Sequence, residues 1–218
     1  MKKIRLTVFS VTALLFFSAC SSEDIIDGKG NGSNSDEKKT TTFASVGNGT
    51  RTSMTNHQFH TGGDFLWEND DQIFVNIGGN YSQSTASNLS SSKARATFEV
   101  PGALTASSYP VTYTGKDATA GDRVKIAKEQ IQSAPGNTQH FGVSGDCGVA
   151  TATKAADGTY TFTLQHKAAY LCFMPSMTDA GLYRDLRLDR IKVTSDNNIA
   201  GTYSFSAAGL SSNAVSDG

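Results

Sequence analysis

The sequence predicts an all-β fold, a β-sandwich, for residues 43–218. Three observations predict it. Apolar residues alternate with polar ones in short runs, helical periodicity is almost absent, and clusters of Gly, Asn and Asp separate the runs. The 21 glycines and four prolines suit a chain of strands and turns. Residues 43–218 are enough for one sizeable domain.

The first nineteen residues are a different kind of segment. Lys2, Lys3 and Arg5 precede an apolar run, Leu6 to Phe17, broken by Thr7, Ser10 and Thr12. Such a run is the length of a signal-peptide core and too short for a membrane-spanning helix. It closes on Phe17-Ser18-Ala19-Cys20, which resembles a bacterial lipobox with Phe in place of the usual Leu. Small residues admit the peptidase, and the thiol carries the lipid; several acyl chains on one terminus anchor stably. The alternative is an ordinary secretory signal followed by a chance cysteine. Cys20 is thus expected to be acylated and to attach the mature chain to the outer-membrane lipid. Residues 20–42 read as a flexible tether, because Gly, Ser, Asn and charges dominate and only Ile25 and Ile26 could enter a core.

The strands follow in order. Thr41–Val46 is a short first strand. Asp64–Trp67 and Gln72–Ile77 flank the polar turn Glu68-Asn69-Asp70-Asp71 and are expected to pair as a hairpin, with Ile73, Val75 and Ile77 on one face. Ala94–Val100 alternates Ala94, Ala96, Phe98 and Val100 with Arg95, Thr97 and Glu99, and Pro101-Gly102 ends it. Tyr109–Tyr113 and Arg123–Ile126 come next, then a loop over Ser133–Gly145. Asp157-Gly158 is the strongest hairpin turn and joins Val149–Thr153 to Tyr160–Phe173. Leu186–Thr194 alternates with a slip at Asp189-Arg190, and Asn197-Asn198 turns it into Ile199–Phe205.

These residues carry a resemblance. Thr50-Arg51-Thr52-Ser53, then Phe65-Leu66-Trp67, then Asp71-Gln72-Ile73-Phe74-Val75 resembles the opening of the fimbrillin-like lipoproteins of the Bacteroidetes, the type V pilin superfamily. That opening runs as a TRT segment, an F-x-W strand and a G-D-x-I-x-V strand; here Asp70 stands where the glycine usually does. Gln130 after Ile126-Ala127-Lys128-Glu129, Leu164-Gln165-His166-Lys167-Ala168-Ala169, and Leu188–Val193 leading to Ile199-Ala200-Gly201-Thr202-Tyr203 extend it over residues 50–205. The resemblance implies a transthyretin-like β-sandwich, the family's N-terminal domain, acting as a structural or adhesive component of fimbria-like pili with other pilus subunits as partners. In this context Ser21-Ser22-Glu23-Asp24 resembles the acidic signal for the outer face of the outer membrane, although it also reads as a solvated linker. Family members carry a second sandwich; the tail 206–218, with only Leu210 and Val215 able to anchor anything, implies that it is absent here. A protease in the family cuts after a basic residue to free the first strand. Arg51 has the corresponding position, after the loop Gly47-Asn48-Gly49-Thr50; otherwise it is an exposed strand-end residue of a chain that stays anchored. Lys38 and Lys39 are alternatives at which a cut would only release the chain from membrane.

Chemistry-bearing residues support binding over catalysis. There is no G-x-S-x-G, no H-E-x-x-H and no cysteine with a histidine in a recognisable context, so no catalytic residue and no cofactor is expected. His57 and His60 have metal-compatible spacing but lack an acidic or thiol partner beside them, and Asp64 with Glu68–Asp71 lacks the EF-hand pattern, so no metal is expected. Gly78-Gly79-Asn80 opens no helix and is not a phosphate loop. Trp67 is the only tryptophan and, with Phe65, is expected to anchor the core; exposed, it would be a sugar platform. His166 is expected to be buried and hydrogen-bonded at a change of strand phase. Cys147 and Cys172 form either a disulfide, which an oxidising export route permits, or two separate thiols. The net charge of −1 offers nothing to nucleic acid. Beside the pilus role stands a monomeric surface lipoprotein whose loops, Asn80–Lys93 or Ser133–Gly145, bind a glycan or host protein.

Overall fold

Thr40–Ser45 forms the first strand, β1, because its β-branched threonines favour extended backbone and its alternation turns Phe43 and Ser45 inward. The computed structural model describes residues 39–46, 53–58, 62–85, 87–178 and 186–216, which fall within one compact unit. After β1 come β2 (Ser53–Gln58), β3 (Gly62–Leu66), β4 (Phe74–Ile77), β5 (Asn80–Gln83), β6 (Asn88–Leu89) and β7 (Ala96–Pro101). Strands β8 (Ser108–Tyr113) and β9 (Arg123–Ile126) precede one short helix, α1 (Phe141–Ser144). The chain continues through β10 (Gly148–Lys154), β11 (Tyr160–Phe162), β12 (Gln165–His166), β13 (Gly201–Ser206) and β14 (Gly209–Ser216).

The protein is an all-β sandwich of curled sheets. The largest sheet runs β5-β4-β8-β10-β11-β1-β7-β6, with β12 also paired to β10. A three-stranded sheet runs β14-β13-β9, and β2 pairs β3 alone. The main core collects Phe43, Ile73, Val75, Phe98, Val111, Tyr113, Tyr160 and Phe162 around Trp67, all buried. Trp67 meets Phe98 and Tyr113 edge-on at centroid distances of 5.0 and 5.9 Å, a favoured aromatic geometry. A smaller cluster joins the sheets: Cys147 and Val149 meet Val124 and Phe205.

The pairing of β4 differs from the sequence expectation. β3 pairs β2, not β4, and β4 pairs β5 and β8. The reason lies in the turns. Gly78 and Gly79, at φ 61° and 95°, make a two-residue hairpin turn whose twist matches the strands, and Asn76 Oδ1 accepts from Gly79 N–H at 2.8 Å. The Glu68–Asp71 segment does turn: Asp70 sits at φ 68°, and Asp71 Oδ2 accepts from Glu68 N–H at 2.6 Å. Trp67 N–H, however, is committed to the Lys93 carbonyl at 3.0 Å, away from β4.

Three further strands depart from expectation. Tyr160–Phe173 ends as β11 at Phe162, then resumes for two residues as β12 against Gly148 and Val149. β10 begins at Gly148, so past Lys167, whose N–H donates to the Cys147 carbonyl at 2.9 Å, the segment has no strand to pair with. Leu186–Thr194 is extended in pattern but joins no sheet, and Leu188 stays 63% exposed. The tail 206–218, read as nearly featureless, instead supplies β14, which zips antiparallel to β13 around the Ser206–Gly209 turn, with Leu210 packed on the smaller cluster. Ala96, Phe98 and Val100 are buried in alternation as the sequence predicts, and the Asp157-Gly158 turn joins β10 to β11 with Gly158 at φ 90°.

Candidate functional site

β1 lies between β7 and β11 and is bonded along both edges. It runs antiparallel to β7 over Thr40–Ala44 and parallel to β11 over Phe43–Ser45, the one parallel pair among the described strands. The Phe43 ring stacks on Tyr160 at 4.9 Å. Ser45 Oγ accepts from both Trp67 Nε1 and Ala96 N–H, each at 2.9 Å. Thr40 and Thr42 donate to the Glu99 carboxylate at 2.9 and 2.7 Å, and Thr41 Oγ1 donates to the Gly102 carbonyl at 2.7 Å. The strand therefore fills a slot with a ring pocket, two ladders and a polar clamp.

A polar cluster stands at the start of β10. The His166 Nε2 is bonded to the Asp146 carboxylate, and Tyr170 Oη reaches both groups at 2.8 Å. Phe141 stacks on Tyr170 at 4.1 Å, and Phe65 packs on His166 at 4.6 Å. Burial, then the Asp146 charge, raises the Tyr170 hydroxyl well above its ordinary range. The same two causes push the Cys147 thiol up to about 12, which leaves it protonated and inert at neutral pH. His166 Nε2 is occupied within the protein, and Nδ1 is buried without a partner, so neither nitrogen is offered to a substrate. The histidine is hydrogen-bonded, as expected of it, but only partly buried, its side chain 12% exposed. It joins β12 to the 141–147 segment.

The cysteines are separate thiols. Cys147 is buried beneath the smaller cluster and Cys172 is exposed on the unpaired run after β12. Cys172 is not in a strand between Leu171 and Phe173, because those two residues are themselves exposed and unpaired. Cys20 and Arg51 lie outside the described residues, as do His60 and the side chains of His57 and Asp64. No family model, curated protein or solved structure matches the chain. Among the described residues no three His, Cys, Asp or Glu side chains gather to hold a metal, and no helix is long and apolar enough to cross a membrane.

Trp67 is fully buried, as expected of a core anchor, which removes it as a sugar platform. Phe65 is only partly buried and serves the His166 cluster instead. Sequence reasoning missed Asp146 and Tyr170, which meet His166 only in the fold, and named Asp71 only as part of a turn. Asp71 is fully buried and accepts from Tyr113 Oη at 3.1 Å. Glu68 beside it is anchored by Ser53 at 2.7 Å and Lys93 at 2.8 Å. Burial pushes the Glu68 carboxyl up, but those two hydrogen bonds and the Lys93 charge outweigh it and hold the group below its ordinary value.

Proposed function

We propose that this chain is delivered to the surface of the outer membrane as a lipoprotein acylated at Cys20, that a cut after Arg51 then frees it to serve as a structural or adhesive subunit of a fimbria-like assembly, and that it carries no enzymatic activity. The observation that supports it most is the placement of β1. The first described strand, following directly on the tether, is seated in the middle of the largest sheet rather than at its edge. Withdrawing it would bare unpaired N–H and C=O groups on β7 and β11 together with the pocket of Phe43. A donor strand from a neighbouring subunit would satisfy all of these. A cut after Arg51 would sever β1 from β2, whereas a cut at Lys38 or Lys39 would leave β1 in place.

The exposed runs give such an assembly its material. Leu171, Phe173, Met174 and Met177 on one run, and Leu186, Leu188, Ile191 and Val193 on another, are all exposed and pair with no described strand. Exposed large apolar side chains are the material from which an interaction site is built where they adjoin. Immunogold electron microscopy of cells carrying the full chain tests the reading. Gold aligned on fibres, reduced to scattered single particles by Leu188→Asp with Ile191→Asp, is the expected outcome. Scattered particles on wild-type cells would refute it.

A further inference from the structure

A polar cavity of about 270 Å³ opens beside the Glu68–Asp71 turn, lined by Glu68, Asp71, Lys116, Gln139 and Gly142. Its walls are fixed from behind. Asp71 is held by Tyr113 Oη and Glu68 N–H, and Glu68 by Ser53 and Lys93. The rim loop is closed by Thr114 Oγ1 on the Ala120 carbonyl at 2.8 Å, and Lys116 N–H is bonded to the Gly142 carbonyl at 2.8 Å. Gly115 permits this approach, since at φ +112° a Cβ there would lie 3.1 Å from the Gly142 oxygen. The acceptors are thus pre-positioned. The donors are not spent: the Lys116 ammonium and the Gln139 side-chain amide have no hydrogen-bond partner among the described residues.

We propose that this cavity binds a single neutral sugar ring, the terminal residue of a glycan. A sugar hydroxyl both donates and accepts, so it can give to the Glu68 carboxylate while taking from Lys116 or Gln139. Asp70 and Asp117 line an adjoining hollow together with Lys116, so with Glu68 and Asp71 four carboxylates outnumber the ammonium groups of Lys116 and Lys93 and disfavour an anionic ligand. A bare metal ion lacks its ligand set among the described residues. The volume lies just below the range of about 300–1,000 Å³ typical of ligand pockets, which suits one ring rather than a bound chain. This goes beyond the assembly reading by giving an individual subunit a ligand of its own.

Saturation-transfer NMR on the full chain in detergent tests the inference. The probes are methyl β-galactoside, methyl α-mannoside and N-acetylglucosamine, with glucuronic acid as the anionic control. Transfer to at least one neutral sugar is expected, at a Kd of about 1 mM. Lys116→Ala and Gln139→Ala should each weaken it by roughly tenfold. Neither side chain has a hydrogen-bond partner among the described residues, so both variants should keep the wild-type Tm. No transfer to any neutral sugar, stronger binding of glucuronic acid, or binding undiminished in both variants would overturn the proposal. The measurement uses unassembled protein, so a failure of fibre formation leaves its result intact.

Discussion

Ser45 illustrates how much a small polar residue can hold. Its hydroxyl oxygen is the acceptor for two buried N–H groups, Trp67 Nε1 and the Ala96 amide. Ser45→Ala leaves both without a partner, and each such loss costs roughly 1–3 kcal/mol. Urea unfolding should therefore show a loss of about 2–4 kcal/mol, far more than for an exposed serine. Glu68 gives a pH-dependent counterpart. Its folded pKa lies below the ordinary 4.5, so its contribution is fully present above that pH and is lost as pH falls through the lowered folded value. Unfolding free energies of wild type and Glu68→Gln should differ most at neutral pH and converge as pH falls below 4.5 and through the lowered folded value. Asp70, at φ 68°, occupies the left-handed conformation that glycine adopts most readily and that Asp tolerates better than most residues. The Asp70-Asp71 step therefore turns the chain without a glycine.

Among the elements, strand identity was far more legible than strand partnership. β1, β7, β8 and β9 lie where alternation puts them, because a period of two is local information. Partnership is decided by competition between turns. Two glycines closing β4 on β5 prevail over the longer Glu68–Asp71 turn, and nothing within either strand announces that outcome. Leu186–Thr194 has the alternation of a strand and no neighbour, since alternation reports a side chain's preference and not the presence of a partner. β14 was missed for the opposite reason: Ser211, Ser212 and Asn213 carry little apolar signal, yet β13 supplies a waiting edge. The candidate sites were legible only in part. His166 was visible as a phase change, whereas Asp146 and Tyr170 lie 20 and 4 residues away from it and meet it only in the fold. The β10–β12 junction has a steric test. A Cβ on Gly148 would lie 2.7 Å from Leu164 Cγ and 3.0 Å from the Gln165 carbonyl oxygen. Gly148→Ala should destabilise the protein by about 1–3 kcal/mol, read as a lower urea midpoint with an unchanged slope.

At the scale of the whole molecule, the sandwich reconciles two opposed tendencies. Its core is complete around Trp67, with Phe43 of β1 as one of the buried rings. Its runs after β12 and before β13 leave large apolar side chains in solvent, Leu171 at 72% exposure and Met174 at 67%. The proposed subunit, which would bury those runs against a neighbour and exchange β1 for a neighbour's strand, would account for both. The most direct measurement is N-terminal sequencing, with intact mass, of protein recovered from fibres on the cell surface. The account predicts chains beginning at Thr52, stripped of β1 and of the lipid anchor. Fibre protein that uniformly retains a blocked, acylated Cys20 would contradict it.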